Sequence, residues 1–106
     1  MPVGSQSFEA VDTTPIAATS TKITNLAMAT PSTEVSHAFT SNLKQVIIRS
    51  RTIANLQYSF TSGESGTKYI TVKRGITLEL VNLDFTGVTL YVQADKATTL
   101  EIQELF

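Results

Sequence analysis

A period of two governs most of this chain. Val35, His37 and Phe39 alternate with Ser36, Ala38 and Thr40, and Leu56, Tyr58 and Phe60 alternate with Asn55, Gln57 and Ser59. Ile76, Leu78 and Leu80 repeat the pattern. Such spacing puts the larger side chains on one face only if the backbone is extended. Lys44–Arg51, Lys68–Arg74, Thr89–Ala94 and Thr99–Phe106 add further candidate strands. Turn chemistry separates them: Ser41-Asn42, the Gly63- and Gly66-bearing stretch Thr61–Thr67, Gly75, Asp84–Gly87 and Asp95-Lys96. Short strands and turns in regular succession predict an all-β protein, a small antiparallel β-sandwich of jelly-roll-like form. Its expected core is Leu56, Tyr58, Phe60, Leu78, Leu80, Leu90, Val92, Leu100 and Ile102. Only Lys96–Leu105 admits a helical alternative, since Leu100 and Glu104 are one turn apart; the Leu100/Ile102 alternation favours a strand.

The first third reads differently. Residues 1–34 hold all three prolines, many hydroxyls and few large apolar groups. The expected division is an extended N-terminal arm over 1–34 and a sandwich body over 35–106, with a disordered leader as the rival reading of the arm. Lys22–Met28 is the apolar exception, either a strand or an anchoring stretch, bracketed by Pro15 and Pro31. Ile23, Leu26 and Met28 are the expected partner-binding residues of the arm, which at full extension reaches on the order of 100 Å. Removing residues 1–30 is expected to leave the body folded.

Composition excludes several classes of function. With no cysteine there are no disulfides or thiolate metal sites, and a single histidine excludes a His-pair zinc motif. A body of this size is small for a self-sufficient core, which makes a homo-oligomer the expected route to stability. A net charge of −1 argues against nucleic-acid binding through a strongly basic surface. No apolar run approaches the ~20 residues needed to cross a bilayer. The start lacks a signal-peptide pattern, and Pro2 is incompatible with myristoylation, so synthesis in the cytoplasm is expected.

Chemistry-bearing residues are sparse. His37 has no nucleophile motif near it, and a strand-borne structural imidazole is the better account. Asp84 and Asp95 fall in turns, where an aspartate normally caps its own backbone. Neither these nor Glu101 and Glu104 suggest a glycosidase pair across a cleft, and no cofactor is expected. Lys44, Arg49 and Arg51 share one strand, while Lys68, Lys73 and Arg74 flank another. Were those strands paired, they would form a positive strip suited to an acidic subunit surface. Tyr69, Phe85 and Tyr91 are the remaining aromatic candidates for a surface role, with packing the simpler assignment.

The stretch Gly66-Thr67-Lys68-Tyr69-Ile70-Thr71-Val72, then Gly75, Leu90-Tyr91-Val92-Gln93-Ala94 and Thr99 to Phe106, resembles the C-terminal strands of small tailed-bacteriophage virion proteins. The resemblance spans about 40 residues of general β-sandwich character. It implies a structural role in a virion: a capsid decoration (cement) protein, or a neck or tail accessory component. The implied partners are the major capsid protein or other virion subunits. A receptor- or glycan-binding sandwich, using the Thr61–Thr67 and Asp84–Gly87 loops, is the alternative expectation, and a small enzyme a more distant one.

Overall fold

The structure, a computed structural model, describes residues 20–81 and 84–106. Eight strands follow one another: β1 (Thr21–Met28), β2 (Val35–Ala38), β3 (Gln45–Ser50), β4 (Leu56–Ser59), β5 (Ile70–Val72), β6 (Leu78–Val81), β7 (Thr89–Ala94) and β8 (Thr98–Leu105). They form two antiparallel four-stranded sheets, one ordered β1-β8-β3-β6 and the other β2-β7-β4-β5. The first strand pairs with the eighth, the second with the seventh, the third with the sixth and the fourth with the fifth. A single long antiparallel ribbon, folded over itself, produces that nesting. The lateral pairs β3–β8 and β4–β7 then join the folded layers into sheets.

Alternation built the core as the period-two pattern requires. Thr98, Leu100, Ile102 and Glu104 of β8 are buried, while the residues between them are half-exposed. Val46 and Ile48 of β3, Leu90, Val92 and Ala94 of β7, and Leu56 and Tyr58 of β4 complete a cluster drawn from both sheets. Phe39 and Phe85, outside the strands, close one end with their rings edge-on at 5.3 Å. The helical alternative for Lys96–Leu105 is thereby resolved as strand.

Turns follow the local chemistry. Asn42 takes φ 62° after Ser41, an angle Asn tolerates better than most side chains. Gly75 takes φ 82° between β5 and β6, where the Ile76 N–H donates to the Lys73 carbonyl.

Three expectations are corrected. The boundary at residue 34 does not match the architecture. Residues 1–19 lie outside the described residues, but Thr21–Met28 of the expected arm is β1, laddered to β8 along its whole length. Met28, at 1% exposure, is a core residue. Phe60 is not core: β4 ends at Ser59, and the Phe60 ring is 42% exposed and sits edge-on to Tyr58. Ile76 precedes β6 and is exposed, while Leu78 and Leu80 are only half-buried because β6 is an edge strand.

Candidate functional site

On the outer face of the β1-β8-β3-β6 sheet, Arg49 stands opposite Glu101 in the β3–β8 register. Arg49 Nε donates to Glu101 Oε1 at 2.9 Å, and Arg51 Nε donates to Oε2 at 3.1 Å. Each carboxylate oxygen therefore carries one guanidinium. The two cations, Arg49 foremost, hold the Glu101 carboxyl below its ordinary range. All three side chains are at the surface, so the cluster is worth little as stability and more as a fixed charge pattern.

Two depressions meet at this cluster. One, of about 370 Å³, opens between the two sheets, with Leu56 and Val72 from one sheet, Ser50 and Arg51 from the other side, and Ile76 and Thr77 from the β5–β6 connection. Lys73 also lines it, so three cations face one carboxylate. The second, of about 460 Å³, runs over the outer sheet face between Ile23, Asn25, Ile47, Gln103 and Thr77. The two depressions share Arg49, Thr77 and Glu101, giving an open surface of mixed polar and apolar lining with a net positive centre.

The structure brings Ile23, Arg49 and Arg51 onto this surface and leaves the other expected residues elsewhere. Leu26 packs half-buried against the core, and Met28 is buried within it, so neither is available as an arm anchor. Lys44 lies before β3 at its far end, where its N–H donates to the Leu105 carbonyl. The imagined strip of two paired basic strands does not form, because β3 and β5 belong to different sheets. Lys73, just after β5, nevertheless lines the same cleft as Arg51, just after β3. Glu101 was missed as the organiser of the arginines. Its signal is visible only once the register sets opposite charges across the β3–β8 ladder.

A second polar group lies inside. Glu104 of β8, with no exposed side-chain surface, accepts the Thr40 N–H at 3.0 Å and the Thr40 hydroxyl at 3.3 Å. His37 of β2 brings Nε2 to 3.5 Å from Glu104 Oε2 and, among the described residues, has no hydrogen-bond partner at that nitrogen. His37 and Glu104 come from different sheets, so the contact spans the core. The imidazole also stands edge-on to Phe39 at 5.5 Å.

The loops expected for glycan binding are occupied by the chain itself. Glu34 accepts N–H bonds from Gly63 at 2.8 Å and Ser65 at 3.1 Å, and the Ser65 hydroxyl at 2.6 Å. That hydroxyl first, then the Gly63 N–H, holds the Glu34 carboxyl below its usual range. Asp84 caps its own turn as expected, accepting the Thr86 N–H at 3.0 Å, which lowers its carboxyl too. Asp95 does something else: its two oxygens accept the backbone N–H and side-chain amide of Asn55, at 2.9 and 3.0 Å. Asn55 in turn accepts the Arg74 N–H.

Among the described residues no group of three or more His, Asp or Glu converges as a metal site, and no helix is long and apolar enough to cross a membrane. Comparison with family models, with curated proteins and with solved structures gives no match.

Proposed function

We propose that this protein is a non-enzymatic structural component of a phage virion, a jelly roll that decorates the capsid and reinforces contacts between capsid subunits. The observation that carries the reading is the nested pairing of β1 with β8, β2 with β7, β3 with β6 and β4 with β5. An antiparallel ribbon wound into two four-stranded sheets is the plan of jelly rolls, which recur in viral capsid and lectin domains. Fold alone does not carry function, so the surface must agree with it. The Ile23–Ile47 groove and the Arg49–Glu101–Arg51 cluster form a broad, open, mixed surface. Such a surface matches a protein partner with an acidic rim better than it encloses a small substrate.

On this reading the major capsid protein, or another virion subunit, docks over the outer face of the β1-β8-β3-β6 sheet. Many copies, each weakly bound, then act together through multivalency.

Electron microscopy of particles labelled with an antibody to this chain is the direct test. Labels distributed over the heads are expected. Labels confined to the neck or tail move the role to an accessory component, and no labelled particle overturns the reading. A glycan array run on the purified protein is expected to give no hit, whereas a specific hit transfers the function to carbohydrate binding.

A further inference from the structure

We infer that the free edge of β1 is a homodimer seam, at which two copies of this chain join their β1-β8-β3-β6 sheets into one continuous sheet. The argument starts from hydrogen-bond phase. Ser20 N–H donates to the Phe106 carbonyl at 2.6 Å and Phe106 N–H donates back at 2.9 Å. In an antiparallel ladder such mutual pairs alternate with pairs whose backbone groups point outward. Following the β1–β8 register from Ser20, Lys22, Thr24, Leu26 and Met28 bond to β8, while Thr21, Ile23, Asn25 and Ala27 aim N–H and C=O away from it. Among the described residues no other strand lies on that side.

Exposed strand edges are normally kept short, charged or interrupted by proline. Among the described residues the other three edges obey that rule in length: β2 and β6 have four residues each and β5 has three. β1 has eight, no proline, and one charge, Lys22, near its start. It also carries Ile23, 66% exposed, on the face beside the candidate site.

A second copy fits this edge better than it fits the others. A two-fold register centred on Thr24 sets Thr21 against Ala27 and Ile23 against Asn25 of the other copy. Every outward N–H and C=O of those residues then finds a partner. Side chains also stay on their proper faces, since outward residues oppose outward ones and inward residues oppose inward ones. On the inner face Thr24 meets its own copy, a favourable cross-strand pair, and the Lys22 stem lies over Leu26. The two Lys22 ammonium groups stay at opposite ends. Two-fold pairing of β6 instead sets its two Glu79 carboxylates opposite or diagonal to each other.

The inference stands apart from the virion reading, because it needs only the edge and not a capsid. Sedimentation of the full chain over a hundredfold concentration range is expected to show a monomer–dimer equilibrium. Asn25→Pro removes an outward N–H and no internal bond, which edge strands tolerate. It is expected to weaken the dimer at least tenfold with the circular dichroism spectrum and urea midpoint kept. Should that variant fold poorly, Ile23→Lys supplies an edge charge and the same expected loss. Thr24→Cys, in a chain with no cysteine, is expected to form a disulfide-linked dimer on oxidation, while Thr99→Cys on β8 is not. A wild-type chain that stays monomeric overturns the seam. So does a dimer that survives both edge variants, or Ile23 and Asn25 amides protected from exchange in a monomer, which assigns the edge to residues 1–19.

Discussion

Glu104 sits at an alternation position that the neighbouring Leu100 and Ile102 mark as core, so its carboxylate is removed from water by the same period that buries them. Burial of a charge costs several kcal/mol unless hydrogen bonds replace water, and Thr40 supplies two here. Glu104→Ala leaves the Thr40 N–H without its acceptor and opens a void beside His37. A loss of about 2–4 kcal/mol is expected in urea denaturation. Glu104→Gln keeps an oxygen for that N–H and should cost less; equal losses would mean the hydrogen bond is not the source. Glu101 is the exposed counterpart. Its folded pKa is depressed by Arg49 and Arg51, so its contribution is present above the unfolded carboxylate pKa and lost as pH falls through the folded value. The difference in urea midpoint between the wild type and Glu101→Gln should therefore be measurable at neutral pH and vanish in acid below the folded pKa. A difference that persists there would point to packing instead.

β1 is the element that local sequence reading treated least well. Its Thr, Asn and Lys residues and the prolines nearby suggest an arm, and its apolar residues form a weak pattern. What makes it a strand is β8, 70 to 84 positions away along the paired residues, whose backbone supplies the ladder. Such a partner leaves no local trace. A chain lacking residues 1–19 is expected to keep a cooperative urea transition near that of the full chain. One lacking residues 1–30 should lose it or shift it far toward lower urea, because Met28 goes and Leu100 and Ile102 lose their cover. A cooperative, undiminished transition in the shorter chain would restore the arm to its expected place outside the body. β8 shows the opposite case. Its alternation was legible, and Leu100→Ala at its centre is expected to cost about 2–5 kcal/mol by calorimetry or urea. Ile70→Ala on the exposed edge strand β5 should stay within roughly 0.5 kcal/mol.

For the molecule as a whole, composition and turns sufficed for the all-β class and most strand positions. They did not order the strands, because pairing is set by contacts far apart in sequence. Arg49 and Arg51 were recognisable as a basic pair; the carboxylate between them, and Lys73 beside them, became visible only through the fold. His37 read as a structural imidazole, yet its facing acid lies on the other sheet. The proposed docking onto a capsid is tested at this scale. Arg49→Glu together with Arg51→Glu reverses the charge at the centre of the candidate surface while leaving the core untouched. Capsid occupancy in a pull-down with purified heads is expected to fall at least tenfold, and unchanged occupancy would move the contact to another face.

Pairing the opening strand with the closing one also fixes when the protein can become itself. On the ribosome β1 emerges ahead of β2 to β8 and waits through the synthesis of β2 to β7 before its ladder with β8 can form. Among the described strands, β4 and β5 are the one pair adjacent in the chain that also ladder together. Such nesting favours assembly from the middle of the chain outward, and folding over roughly milliseconds to seconds rather than microseconds is expected, as for other folds dominated by distant pairings. During that interval the longest strand edge is bare. If the proposed seam forms, a nascent neighbour on the same message is the first copy that this edge can meet.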